Sequence, residues 1–237
     1  RRIAFAGISP RLAGEAVSTL TFAGTATLVT LLLGLVVATA SRLAPGRGTS
    51  WAQRLATMGY AAPGTVVAIG VLVVLGAFDQ LIDRTAQHWL GVSTGLLLMG
   101  SGAALVYAYV VRFMAISTGS IEAGLARIPR SLDHASRTLG RTTRRTLVEI
   151  HLPLSKAALA AGALLVFVDC VKELPATLLL RPLNVETFAT HLYGEAARGT
   201  YEEASIAALA IVAVGLLPVI VLARVGRTRI PKQRGAS

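Results

Sequence analysis

Apolar residues gather in five long runs, Val17–Ala40, Leu55–Phe78, Val92–Met114, Ala157–Leu180 and Ala204–Ala223. Each approaches or exceeds the roughly 20 residues that carry a helix across a bilayer. The pattern predicts an all-α, polytopic membrane protein forming a single domain over residues 1–237. The fourth run is the least clean, because Asp169, Lys172 and Glu173 interrupt it.

The polar connections alternate in charge. Ser41–Arg54 holds Arg42, Arg47 and Arg54 with no acid, whereas Asp79–Gly91 holds Asp79, Asp83 and Arg84. Ala115–Lys156 is strongly basic, Arg181–Glu203 carries four glutamates, and the tail after Ala223 is again basic without acids. Positive loops stay in the cytoplasm, so the first and third connections and the C-terminus are expected inside and the other two outside. Five spans then leave the N-terminus outside, although Arg1, Arg2 and Arg11 sit there and no Met begins the chain. At least one further upstream span, within a longer two-half protein, is the expectation. A secretory signal over residues 1–40, cleaved after Ala38-Thr39-Ala40, is the weaker alternative, since the run is too long for such a segment.

Composition fits this picture. The chain is 54% hydrophobic and 15% charged, with mean hydropathy +0.64, outside the usual range of soluble domains. With 23 glycines and 5% aromatics, its apolar mass is small and aliphatic, which suits close helix packing in lipid. The net charge of +11 would fit a nucleic-acid binder, but such a protein does not carry repeated membrane-length runs, so no nucleic-acid partner is expected. Cys170 is the single cysteine, which excludes an intramolecular disulfide and a multi-cysteine metal site. The histidines are scattered without metal-binding spacing, so neither a metal site nor a cofactor is expected.

Between the third and fourth runs lies "LDHASRTLGRTTRRTLVEIHLPLSK", Leu132 to Lys156. Leu132, Ala135, Ser136, Leu139, Leu147 and Ile150 keep a rough helical spacing, giving an oily face opposite a cationic one. Gly140 costs about 1 kcal/mol inside a helix and predicts a break between two short helices. Pro153 suits a helix start, where its missing N–H is tolerated. A helix lying on anionic lipid would explain the charge of this island.

The pattern goes further. Asp133-His134-Ala135-Ser136, then Gly140, then Ile150-His151-Leu152-Pro153 resembles the EAA loop of binding-protein-dependent ABC importer permeases of type I. The resemblance covers most of the chain, since the loop falls between the third and fourth of five core helices. It implies that residues 131–155 form a cytoplasmic coupling helix seated on a separate ATP-binding cassette subunit. Asp133, His134, Ala135, Ser136, Gly140, Ile150, Leu152 and Pro153 would be the coupling residues. The family's acid falls on His134, with Asp133 one position away, and a one-residue shift turns about 100° on a helix; either could make the acidic contact. No Gly-Lys pair exists for a phosphate-binding loop, so the chain is not expected to hydrolyse ATP or to be an enzyme.

In "ALAAGALLVFVDCVKELPATLLLRP", Asp169 and Glu173 are spaced i, i+4 and Lys172 lies three after Asp169. One reading is a self-neutralising cluster with Lys172 between the carboxylates and Pro175 kinking the span. The other has Asp169, Lys172, Glu173 and Pro175 lining a translocation path or gate. "KELPATLLLRP" with "ETFATHLYGEAA" is similar to the ferric iron permeases of this importer class. That resemblance implies an extracytoplasmic binding protein, a second permease half in the same or another chain, and a place in the bacterial inner membrane. Thiamine, a polyamine, sulfate or another anion remain as cargoes, and a proton-coupled carrier using Asp169, Lys172 and Glu173, or a membrane anchor without a path, as other classes. Pro63-Gly64 is read as a kink or start of span two, and Ala158/Gly162 and Gly100–Ala103 as small packing surfaces.

Overall fold

The computed structural model describes residues 10–227; among them there is no strand. The helices are α1 (Pro10–Leu43), α2 (Arg47–Ala61), α3 (Gly64–Leu90), α4 (Leu97–Gly100), α5 (Ala103–Ala126), α6 (Arg130–Thr138), α7 (Thr143–Thr146), α8 (Leu152–Lys172), α9 (Pro175–Leu180), α10 (Phe188–Ala197) and α11 (Tyr201–Arg227). A π turn over Leu147–His151 joins α7 to α8. Arg1, Arg2 and the basic residues from Arg229 onward, used above for topology, lie outside the described residues.

Among the described residues, five segments are long and apolar enough to cross a membrane: Arg11–Leu43, Gly64–Leu90, Ala103–Ala126, Thr143–Lys172 and Tyr201–Ile220. Half of the apolar window of α5 is buried, against 28% or less in the other four, so α5 is the central post. It packs on α1, α2, α3 and α8, with Leu105 and Ile121 fully buried. Small residues set these distances. A methyl group at Gly124 would come within 2.6 Å of the Ala158 Cβ, and one at Gly162 within 2.9 Å of the Ser120 Cβ, so α5 and α8 touch almost backbone to backbone. The expected packing role of Ala158 and Gly162 is seen here.

The span boundaries depart from the apolar runs. The run Leu55–Phe78 straddles two helices, because Ala62 turns extended (φ −83°, ψ 139°) ahead of Pro63 and α3 starts at Gly64. A residue before proline is pushed out of the helical region, so Pro63-Gly64 begins a helix rather than kinking one. The run Val92–Met114 likewise straddles a turn-rich loop and α5. Asp79, fully buried, accepts from the backbone N–H of Leu98 (2.9 Å) and Met99 (3.0 Å), which holds that loop off the helical path. The third span then runs on to Ala126 through "ISTGSIEAGLA", whose polar look hides it. Ser117 donates to the Thr30 carbonyl at 3.1 Å, and Thr27 and Thr30 donate to carbonyls four residues back, so these hydroxyls cost little in lipid.

The fourth crossing is in two pieces. The α8 helix ends at Lys172, Glu173 is extended (ψ 115°), and α9 restarts at Pro175, whose missing N–H is no loss in a first turn. Upstream, Pro153 sits inside the continuous stretch Thr143–Lys172, where its ring would strike the carbonyl of residue 149 in a regular helix. The wide π turn just before it, with Leu152 N–H reaching back to Leu147, relieves that clash.

Candidate functional site

The island folds as two short helices separated at Gly140, as the glycine predicts. Gly140 has φ +70°; its N–H donates to Arg137 O at 2.9 Å and that of Arg141 to Ser136 O at 3.0 Å. This is a Schellman termination, which favours glycine at that position. Thr142 then caps α7 by accepting from Arg145 N–H.

Of the nine residues in α6, Asp133 and Ser136 are the buried ones, and both are polar. Ser136 Oγ meets Thr146 Oγ1 at 2.6 Å, tying α6 to α7. Asp133 Oδ2 accepts from Arg42 Nε (3.0 Å) and pairs with Arg42 Nη2 (2.9 Å), while Oδ1 lies 2.7 Å from His151 Nε2. Burial would push the Asp133 carboxyl up, but hydrogen bonds from His151 and Arg42, with the Arg42 charge, outweigh it and hold the group below the ordinary carboxylate range. Asp133 therefore faces inward, and His134 is the exposed member of the pair. Ala135, Gly140 and Pro153 are exposed as well, Leu152 is half-buried, and Ile150 packs on the Ile121, Leu125 and Ile128 cluster. Arg42 and His151 escaped the sequence reading: Arg42 looked like a topology signal and His151 filled the variable position of Ile-x-Leu-Pro.

The intramembrane charges form two pairs, not one cluster. Lys172 Nζ bonds Asp169 Oδ1 at 2.7 Å, and Lys172 stays 62% exposed. Glu173, 7% exposed, turns instead to α5, where Arg112 Nε stands 3.3 Å from its Oε2 in an ion pair without hydrogen-bond alignment. Lys172 between two carboxylates is thus corrected: the break after Lys172 swings Glu173 off the α8 face. Arg112 also approaches the Ala62 carbonyl at the end of α2 (3.5 Å), and Glu173 Oε1 accepts from Ala176 N–H at the start of α9 (3.3 Å). A methyl at Gly64 would lie 2.5 Å from Arg112 Nη1 and 2.8 Å from Glu173 Oε1. The break between α2 and α3, at the start of the second crossing, therefore meets the break in the fourth, with a cation at a helix C-terminus and an anion at two helix N-termini. Pro175 belongs to this junction as the first residue of α9. Arg112 was legible as the lone charge in "ALVYAYVVRFMAIS" and was passed over.

At the far end, His191 Nδ1 lies 2.6 Å from Glu15, Arg11 bridges Glu15 (3.2 Å) and Glu186 (2.9 Å), and a cavity of about 560 Å³ opens beside them. Glu15, Glu186 and His191 bring ligand-type atoms within 4.8 Å of one another. Two ligands about 2.1 Å from one ion and at right angles stand about 3 Å apart, so 2.6 Å describes a hydrogen bond. The group reads as a clasp between α1 and α10.

A multi-pass helical bundle with broken crossings, charges held at the breaks and a basic helix pair at one end defines a membrane transport permease. The model of the family "Binding-protein-dependent transport system inner membrane component" matches residues 30–230, and the chain belongs to that family. It is therefore a transport component of an ABC importer, in the inner membrane. It is 26% identical over 230 residues, 96% of its length, to the ferric transport system permease protein FbpB of Actinobacillus pleuropneumoniae, of which it covers 31%. The molybdenum transport system permease protein ModB of Haemophilus influenzae is 30% identical over 136 residues, 56% of this chain and 52% of that protein. The chain spans 25–31% of the length of the ferric relatives it matches. In fold it is similar to a chain of a bacterial alginate ABC transporter solved with an alginate pentasaccharide-bound periplasmic protein (TM-score 0.76, 16% identity, covering 96% of this chain and 82% of that one).

Proposed function

We propose that the chain is one permease half of an ATP-driven importer that passes ferric iron from an extracytoplasmic binding protein to the cytoplasm. It works with a second permease half, and ATP is hydrolysed on a separate cassette subunit docked on residues 132–145. The island and the C-terminus face the cytoplasm. Asp169, Lys172, Glu173 and Pro175 belong to the path or its gate.

The observation that carries this reading is the outward face of the island. Leu139, just after α6, is 77% exposed and Val148, in the π turn, 53%; Arg137 of α6 and Arg144 and Arg145 of α7 are exposed as well, while Asp133 fixes α6 to the bundle from its buried side. An oily and cationic face on a rigid mount suits a groove on a protein partner. A nucleotide-binding subunit should co-purify with the intact chain and be lost when residues 132–145 are scrambled; retention of the subunit by the scrambled chain refutes the docking. Ferric uptake in vesicles should follow ATP and should stall with a proton gradient alone, the reverse of an ion-coupled carrier.

The likeness to ModB favours one second reading, an oxyanion cargo through the same machinery. Uptake of labelled molybdate in place of labelled ferric iron, with the same binding protein present, would select it.

A further inference from the structure

We infer that Arg42 is a positioning residue for energy coupling: it holds the angle between the island helix and the spans that must move with it. The inference rests on the proposed function above and adds to it the residue through which force would pass.

Three facts lead there. First, α6 is not fastened by apolar burial, since its buried side chains are Asp133 and Ser136. An oily contact can slide; a hydrogen-bonded ion pair fixes direction as well as distance. Second, the fastening converges on one guanidinium. Arg42, at the last turn of α1, donates to the carbonyl of Leu125 in the last turn of α5 and, at 2.8 Å, to that of Ile128 just beyond it, and grips Asp133 of α6 with Nε and Nη2. Third, Asp133 passes the hold on to His151, which closes the π turn at the root of α8. His151 is fully buried and its Nδ1 has no partner, so the ring fits with its proton on Nε2, donating to Asp133. One residue thereby joins the ends of α1 and α5, the island and, through Asp133, α8. Side-chain exposures of 10%, 9% and 0% for Arg42, Asp133 and His151 keep water from competing. Only a planar fork satisfies two carbonyls and a carboxylate at once; a lysine ammonium can keep the charge pair but not the fork.

The test uses the full transporter, with its binding protein and cassette subunit, in vesicles of defined lipid. Three quantities are read: assembled transporter, ATP hydrolysed, and labelled ferric iron taken up. Arg42→Gln should lower uptake per ATP about tenfold for the transporter that does assemble. Arg42→Lys should fall between it and wild type, and Asp133→Asn should follow Arg42→Gln. If Arg42→Gln does not assemble, Arg42→Lys alone decides. A merely structural role would lower the assembled amount and leave the ratio unchanged; an unchanged ratio in every variant that assembles overturns the inference. Wild type that takes up no iron with ATP overturns the proposed function instead, a distinct result.

Discussion

At the scale of single residues, the most consequential feature is that the buried carboxylates Asp133 and Glu173 are each held by an arginine from another element. Glu173 and Arg112 are held in low dielectric, where removing one partner leaves the other uncompensated. Arg112→Met should therefore cost about 3–5 kcal/mol, read as lowered thermal stability of the purified chain. The double variant Arg112→Met/Glu173→Leu should regain most of that loss; a double variant no better than the single would mean that the pair does not carry the stability. Asp133 gives a prediction in pH. Its carboxyl is depressed by His151 and Arg42 against the opposing effect of burial, so its contribution is fully present above the unfolded value of about 3.9 and is lost as pH falls through the lower folded value. The island should thus keep its protection from backbone hydrogen exchange from about pH 8 down to pH 5. Loss of protection around pH 6 would assign the tie to a group other than Asp133.

At the scale of elements, much was legible and the misses have physical causes. The five crossings and the short helices around Gly140 follow from run length and glycine, whereas Pro153, which suits a helix start, sits within a continuous helical stretch behind the π turn. The Leu55–Phe78 and Val92–Met114 runs erred because apolar content does not register a backbone break: Pro63 ends α2 inside the first, and Asp79 fixes a loop inside the second. The end of α5 was missed for the opposite reason, because serine looks polar in sequence while the Ser117 hydroxyl is satisfied by the Thr30 carbonyl of α1. Spacing within one helix gave Lys172 two carboxylates, since helical periodicity assumes that the helix continues. Distant pairs such as Arg42 with Asp133 or Arg112 with Glu173 lie outside any spacing rule. Gly140, by contrast, makes a purely local prediction. Its φ of +70° would cost a β-branched residue more than the about 1–2 kcal/mol usual for an L-residue in the left-handed region. Gly140→Val should weaken assembly with the cassette subunit more than Gly140→Asn, compared by co-purification yield at equal membrane insertion. Equal yields would show that the turn is not needed.

At the scale of the whole molecule, exposed charge separates the face of the bundle that meets lipid from the face that meets water or protein. Lys172 marks the boundary. An ammonium at the level of the paired helix breaks costs several kcal/mol against hydrocarbon, and its bond to Asp169 leaves it 62% exposed. Leu165, almost two turns earlier on α8, is 54% exposed and carries no such penalty. Proceeding along α8, then, the surface changes from one that lipid can cover to one that must be wet or covered by protein. The native Cys170 is buried, so engineered thiols can be read against a quiet background. Lys172→Cys, in the assembled transporter, should react with a membrane-impermeant thiol reagent, and its rate should change when ATP is trapped on the cassette subunit, because a path alternates in access. Leu165→Cys should react with neither the reagent nor the nucleotide state. Should Lys172→Cys stay unreactive in every state while a lipid-soluble reagent modifies it freely, that face lies in the bilayer, and the path must run along another side of α5.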